Sequence, residues 1–91
     1  MRVETFVINL ERAKVRRATM ERDLDAVGLQ ARFIRAVDFK EVGIAKLRER
    51  FDDFGPWGIV PPQNMAICSS HRKVWEEFLK TDADVALVLE D

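Results

Sequence analysis

Cysteine is almost absent from the sequence: Cys68 is the only one, so the chain cannot form an internal disulfide. This cysteine usage suits a reducing compartment. A long hydrophobic run is also absent, since the chain contains no stretch of about 18 apolar residues, the length that a membrane-spanning helix needs. Glu4 and Asn9 interrupt the apolar N-terminal stretch, and no small-residue cleavage site follows it, so it lacks the pattern of a signal peptide.

An excess of one charge is lacking as well, because 15 basic and 16 acidic residues leave a net charge of −1. This balance does not suggest bulk nucleic-acid binding or a polybasic membrane anchor. The charges are nevertheless segregated, since residues 11–22 are mainly basic and residues 82–91 are acidic. With 91 residues, of which 47% are hydrophobic, the composition predicts one folded domain, residues 1–91, rather than a disordered segment.

Three apolar segments alternate with helical patterns, which predicts an α/β fold. Residues 3–10, 31–38 and 85–91 have the composition of strands, and the first is nearly continuous in its apolar character. Between the first two strands, side chains recur at three- and four-residue steps, and Gly28 is the expected end of that helix. The residues at these steps are Ala13, Arg17, Met20, Leu24 and Val27.

The segment between residues 39 and 84 predicts two further helices and a loop. A short helix is predicted from the spacing of Ile44, Leu47, Phe51 and Phe54. Residues 54–63 hold all three prolines and two of the four glycines, so they are predicted to form a loop. After Pro62 the helical period returns, with Asn64 as the candidate N-cap. The predicted inner face of this last helix comprises Ile67, His71, Val74, Trp75 and Phe78.

These elements predict an open, parallel sheet of the Rossmann-like type. A strand, a helix and a strand within residues 1–38 form a βαβ unit, which is right-handed. We expect three parallel strands in the order 2-1-3, with the first strand in the centre. Ligands bind such sheets beyond the carboxyl ends of the strands. The residues at those ends are 9–11, Asp38, Glu90 and Asp91, so we expect them to line one cleft.

The predicted cleft has the chemistry to bind a nucleoside diphosphate together with a divalent cation. The helix after Asn9 directs its free N–H groups and the positive end of its dipole toward this edge, which favours an anion. Arg12, Arg16 and Arg17 add positive charge. Hard cations prefer carboxylate oxygens, whereas phosphates bind N–H donors and guanidinium groups.

Four stretches of the sequence resemble, in the same order, glycosyltransferase family 25, the lipopolysaccharide or lipooligosaccharide biosynthesis glycosyltransferases. They are VINLERAKVRR (7–17), RFIRAVD (32–38), CSSHRKVWEEF (68–78) and ALVLED (86–91). The last one resembles the strand that leads into the family's Glu-Asp-Asp, its version of the Asp-X-Asp metal motif. The resemblance implies a GT-A-type fold and transfer of a hexose from a nucleotide-sugar, a UDP-sugar, to lipopolysaccharide or another glycan or lipid-linked acceptor.

The resemblance also implies roles for individual residues and a cofactor, Mn²⁺ or Mg²⁺. Ser70 and His71 match the family's Ser-His pair, with a structural or a site role, and Asp91 matches a metal ligand. The implied donor-nucleotide contacts are Asn9, Leu10, Arg12, Asp38 and Glu90. Two departures stand out: residues 64–66 replace the family's Glu-Ile-Gly, and no third acid follows Asp91. We therefore expect residues 1–91 to be the N-terminal, donor-binding part of a transferase domain and to be inactive alone.

Less specific interpretations of the same residues stay open. The arginines could form a solvated helix face with i,i+4 partners such as Glu21, Asp38 could cap a turn, and His71 could be a hydrogen-bonded core histidine. The alternative function is a non-catalytic α/β module that binds a nucleotide or a protein, and a third interpretation is a structural fragment whose open sheet edge pairs with another chain. The resemblance implies a bacterial cytoplasmic location, with the inner face of the membrane as one alternative. Peripheral membrane association stays open, although these residues do not encode it, and we expect no nucleic-acid partner.

Overall fold

The structure is a computed structural model that describes residues 1–49 and 61–91. In chain order, the elements within these ranges are β1 (Val3–Asn9), α1 (Lys14–Ala26), β2 (Arg32–Arg35), α2 (Phe39–Val42), α3 (Ile44–Arg48), α4 (Pro62–Leu79) and β3 (Val85–Glu90). Among the helices of these two ranges, none has the length and apolar character needed to cross a membrane.

The three strands form one parallel sheet in the order β2-β1-β3, which confirms the predicted fold class and strand order. The central position of β1 explains its composition, because its residues from Thr5 to Asn9 are all buried. In the sheet register, Asn9 lies opposite Arg35 of β2, and Ile8 lies opposite Glu90 of β3. All three strands therefore end at one edge of the sheet, as a ligand-binding α/β sheet requires.

Two apolar clusters hold α4 in place. Phe6 and Ile8 of β1 contact Val74 of α4 and form the first cluster. The second cluster joins Leu47 of α3 to Met65 and Ala66 at the start of α4. Each fully buried side chain of this size contributes roughly 1.5–3 kcal/mol through the hydrophobic effect, so the two clusters fix both ends of α4 against the rest of the fold.

The start of α4 differs from the prediction. The helix begins at Pro62, and Pro61 rather than Asn64 occupies the N-cap position. Proline is favoured at the first helical position because its φ is already helical and its missing N–H would have no acceptor within the helix. The carbonyl of Pro61 accepts the N–H groups of Asn64 and Met65, so Asn64 lies inside the first turn.

The predicted inner face of α4 is also wrong in part. Val74 is fully buried and Phe78 is partly buried beside it, but Ile67 and Trp75 are 50% and 58% exposed. The buried stripe runs instead through Ala66, Ser70 and Val74. Both stripes have the four-residue spacing of a helix, so the sequence pattern could not separate them. The contact of Val74 with β1 decides which stripe faces the sheet.

The second strand is shorter than predicted because the chain leaves the sheet before Asp38. β2 ends at Arg35, and the Ala36 N–H still donates to the Asn9 carbonyl of β1 at 2.8 Å, but the following groups bond outside the sheet. The Val37 N–H donates to the hydroxyl of Ser70, and the Asp38 side chain caps α2. Gly43, with a φ of +89°, then separates α2 from α3, a backbone conformation that L side chains rarely adopt.

The first helix and its end are as predicted. Gly28 follows α1 with a φ of +73°, as expected for a glycine that ends a helix. Of the residues that recur with the helical period only Leu24 is buried, while Val27 is 70% exposed. The predictions for Phe51, for Phe54 and for most of the 54–63 loop concern residues outside the described ranges.

Candidate functional site

A cleft of about 270 Å³ lies at the carboxyl edge of the sheet. Its wall includes residues from the ends of all three strands, from the turn before α1 and from α4. Of the residues singled out in the sequence, the cleft is lined by Leu10, Arg12, Arg16, Asp38, Ser70, Glu90 and Asp91. Asn9 lies buried next to it, and His71 reaches its rim through Glu90. The predicted residues thus meet at one edge because the strands are parallel and in register.

Asp38 is buried in the cleft wall, with only 6% of its surface exposed, and both of its carboxylate oxygens have a partner. Oδ1 accepts the Lys40 N–H at 3.1 Å, which caps the short helix α2. Oδ2 lies 2.8 Å from Nε of Arg12 and forms an ion pair with it. The capping interpretation of Asp38 is therefore correct, and the same carboxylate also anchors a cleft arginine.

Arg12 presents its guanidinium group to the cleft from the turn between β1 and α1. The Ala13 N–H donates to the Leu10 carbonyl at 2.9 Å, and this turn places Arg12 ahead of the helix. The ion pair with Asp38 is made through Nε of Arg12, and about half of the side chain is exposed. Since a guanidinium has five N–H donors, its two terminal NH2 groups keep donors for an anion.

The start of α1 adds to the positive character of this region. Its N-cap residue is Ala13, whose methyl side chain cannot cap the helix, and its first turn holds no acidic residue. The unpaired N–H groups and the helix dipole give this end a partial positive charge, which is reinforced by Lys14 and Arg16. Arg16 also points toward the acidic end of β3, with its Nε 3.9 Å from Oδ2 of Asp91.

Arg17, the third predicted arginine, does not belong to the cleft. Its Nε pairs with Glu21 one turn along the helix at 2.9 Å. Its guanidinium also lies 4.3 Å from the centre of the Phe33 ring on β2. The i,i+4 interpretation therefore holds for Arg17, and its cation–π contact helps to hold α1 on the sheet. Glu11, another residue at this edge, does not line the cleft either and forms an ion pair with Arg35 at 2.7 Å.

Glu90 and Asp91 point to opposite faces of the sheet, as successive residues of an extended chain do. Glu90 Oε1 lies 3.0 Å from Nε2 of His71, on the α4 side. Asp91 turns toward α1, where it accepts a hydrogen bond from the Asn9 side-chain amide. Its backbone N–H donates to the Ile8 carbonyl at 3.4 Å, and 9% of its side chain is exposed, so it is held against β1.

This divergence bears on the expected divalent cation. Within residues 1–49 and 61–91, no group of three or more His, Cys, Asp or Glu side chains is arranged to hold a metal ion. Asp38, Glu90 and Asp91 all line the cleft, but each carboxylate has its own partner: Arg12 for Asp38, His71 for Glu90, and Asn9 and Arg16 for Asp91. These residues by themselves do not fit a divalent cation, and we derive no chemical step through one.

Ser70 and His71 have separate roles. The hydroxyl of Ser70 is 3% exposed, accepts the Val37 N–H at 2.9 Å and donates to the Ala66 carbonyl at 2.8 Å. His71 is 31% exposed and bonds to Glu90, so it is a hydrogen-bonded histidine, though not one of the core. The sequence contains a signal for the role of Ser70, because it is the one hydroxyl residue on the buried stripe of α4. Choosing the stripe of Ala66 and Val74 as the inner face of the helix would have revealed it.

The chain was compared with known proteins. The family described as glycosyltransferase family 25 (LPS biosynthesis protein) matches residues 2–91. A "Glycosyltransferase 25 family member" of Drosophila melanogaster is 33% identical over 93 residues, and one of Aedes aegypti is 34% identical over 93 residues. Each match covers 94% of this chain and 15% of the relative, so the chain spans a small part of the length of these curated relatives. No solved structure matches the chain. The family match over nearly every residue shows that the chain belongs to glycosyltransferase family 25.

Proposed function

We propose that this chain forms the donor-binding part of a glycosyltransferase that takes a hexose from a UDP-sugar. The observation that carries the proposal is the cationic wall of the cleft at the carboxyl edge of the sheet. There, Arg12 is held by a buried carboxylate, and its half-exposed guanidinium lies just before the start of α1, where the N-cap residue is Ala13. An arginine and a helix N-terminus are the two recurrent elements of diphosphate binding in α/β folds.

The chemistry of sugar transfer explains why a guanidinium group held in a fixed position suits this cleft. When the bond between the sugar and the diphosphate breaks, negative charge develops on the leaving UDP. Preorganised N–H donors stabilise such charge without reorganising at the moment of reaction. Arg12 is preorganised because Asp38, which is buried and caps α2, holds its Nε. The contribution of a Mn²⁺ or Mg²⁺ ion stays a prediction from the family resemblance.

The acceptor and the location belong to the proposal as well. A lipopolysaccharide or other glycan acceptor follows from the resemblance, and the matching family carries the same term in its description. The names of the insect relatives specify only the family. A cytoplasmic position at the inner face of a bacterial membrane is the setting that we propose for the lipopolysaccharide acceptor.

Titration calorimetry with UDP, UDP-glucose and UDP-galactose, in the presence and absence of Mn²⁺, tests the proposal. We expect Arg12→Ala to weaken UDP binding by about tenfold or more, because a charge-assisted hydrogen bond contributes roughly 1.5–3 kcal/mol. Arg22→Ala is the matched control, since Arg22 lies exposed on α1 and does not line the cleft. Equal losses in the two variants would contradict a specific phosphate contact by Arg12.

The alternative of a non-catalytic module has one observation in its favour: Glu90 and Asp91 are each bonded to a different side chain of the protein, His71 and Asn9. A protein-binding module would bind none of the nucleoside diphosphates in the titration. We expect the isolated chain to bind UDP without turnover. Turnover of a UDP-hexose well above the buffer rate, if lost in Asp91→Ala, would contradict that expectation.

A further inference from the structure

The wall of the cleft contains a buried hydroxyl, that of Ser70, which uses both of its hydrogen-bonding functions. It donates to the Ala66 carbonyl one turn earlier in α4 and accepts the Val37 N–H from the chain that leaves β2. The residue is 3% exposed. Because a buried N–H without a partner is costly, the hydroxyl fixes the Val37 backbone to α4 at this point.

The Val37 backbone leads directly to Asp38, which holds the cleft arginine. The Val37 N–H is bonded to Ser70. Oδ2 of the next residue, Asp38, lies 2.8 Å from Nε of Arg12. Asp38 has no freedom to adjust its backbone independently, since its carbonyl also accepts the N–H groups of Glu41 and Val42 at 3.0 Å. The position of the Arg12 guanidinium thus depends on where α4 holds the Val37 peptide.

We propose that Ser70 is a positioning residue for the donor, which acts through Val37 and Asp38 to set the Arg12 guanidinium in the cleft. The inference rests on the proposed function, because it assumes that Arg12 contacts the diphosphate. The reason for a serine at this place is its dual hydrogen-bonding role. Alanine would leave the Val37 N–H without its acceptor, whereas threonine keeps both functions of the hydroxyl.

The first test is a double-mutant cycle on the affinity for UDP, measured by calorimetry in the 91-residue chain. We expect Ser70→Ala to weaken UDP binding about fivefold in the chain with Arg12 and less than about twofold in an Arg12→Gln background, because coupled residues are non-additive. Ser70→Thr should restore the affinity. A purely structural role of Ser70 predicts the same loss in both backgrounds, and that result would overturn the proposal.

The matched control is Ser69→Ala, on the adjacent position of α4. The side chain of Ser69 makes no hydrogen bond to any residue of the two described ranges, and Ser69 does not line the cleft. We expect it to leave UDP affinity unchanged in both backgrounds. If Ser70→Ala does not fold, Ser70→Cys replaces it, because a thiol has nearly the same size but is a weaker donor and acceptor.

The second test needs no ligand, so it separates failure of this proposal from failure of the proposed function. The Nε–H resonance of Arg12 is followed by ¹H–¹⁵N NMR in the free protein. We expect its chemical shift to stay unchanged in Ser70→Thr and to move in the same direction in Ser70→Ala and Asp38→Asn, because both of these substitutions loosen the ion pair between Arg12 and Asp38. An effect of Asp38→Asn with none of Ser70→Ala would overturn the positioning role, whether or not UDP binds.

Discussion

At the scale of single residues, the cleft is assembled from groups that each serve two partners. Asp38 caps α2 with one oxygen and holds Arg12 with the other. Glu77 on α4 likewise accepts from Lys80 at 2.9 Å and from Arg32 at 3.2 Å. The two carboxylates differ in burial: the side chain of Asp38 is 6% exposed, whereas that of Glu77, outside the cleft, is 31% exposed, so its ion pairs contribute little to stability.

The carboxyl of Glu77 provides a prediction about pH. The hydrogen bond and the charge of Lys80, and secondarily the charge of Arg32, lower the pKa of Glu77 below its ordinary value of 4.5. A carboxyl whose pKa is depressed by folding stabilises the protein above its unfolded pKa, and the effect is lost as the pH falls through the folded pKa. Carbon-detected NMR titration should show a pKa below 4.5 in the unsubstituted chain.

The pKa of Glu77 in two variants tests which partner lowers it. Lys80→Gln should raise the pKa of Glu77 toward its ordinary value more than Arg32→Gln does, because Lys80 is the larger cause. A larger change of the Glu77 pKa in Arg32→Gln would show that the ion pair with Arg32 of β2 is the main cause instead.

At the scale of elements, α4 is the part that organises the cleft. One stripe of the helix contacts β1 through Val74 and the end of β2 through Ser70. A neighbouring position, His71, reaches Glu90 at the end of β3. A single helix therefore connects to the carboxyl ends of all three strands, so a small rotation of α4 would change every one of these contacts.

The orientation of α4 can be tested with two adjacent residues. Val74→Ala should lower the free energy of unfolding by about 2 kcal/mol, because it removes two fully buried methyl groups at ~0.8 kcal/mol each and leaves a cavity. Trp75→Ala removes far more atoms but should cost less, because the Trp75 side chain is mostly exposed. Urea denaturation measures both values. A larger loss for Trp75→Ala would mean that α4 buries the stripe predicted from the sequence.

At the scale of the whole molecule, the sheet is covered unevenly. On one side, α4 contacts β1 through Phe6 and Ile8, which are almost fully buried. α1, by contrast, buries only Leu24 of its thirteen residues, and Val15 is 81% exposed. Local stability follows buried contacts, so the two helices should differ in how readily they open.

Native-state hydrogen exchange should reveal this difference. We expect the amides of Phe6, Val7 and Ile8 in the central strand to exchange slowest, and those in the middle of α1 to exchange well before them. The physical reason is that β1 is bonded on both sides by β2 and β3, whereas α1 relies mainly on its own hydrogen bonds. Amides of α1 that were as slow as those of β1 would contradict this account.

The sequence by itself determined the fold class, the strand order and the edge at which polar residues gather. The continuous apolar run of β1 requires burial on both faces, and this places the strand in the centre of a parallel sheet. Once the strands are parallel, their carboxyl ends must meet, and so must Asn9, Asp38 and Glu90. These conclusions depend only on local composition and on the alternation of strands and helices.

What only the tertiary structure decided is which partner each of these side chains takes. Asp38 could cap, pair or bind ligand, and its distance from Arg12 depends on how β2 and the turn before α1 are placed. Ser70 is buried and bonds to the Val37 N–H because α4 packs on the sheet through Ala66 and Val74 rather than through the equally spaced Ile67 and Trp75. Glu90 and Asp91 are adjacent in sequence but lie on opposite faces, because a strand alternates its side chains. Contacts of this kind join residues that are distant along the chain, and periodicity within one element carries no information about them.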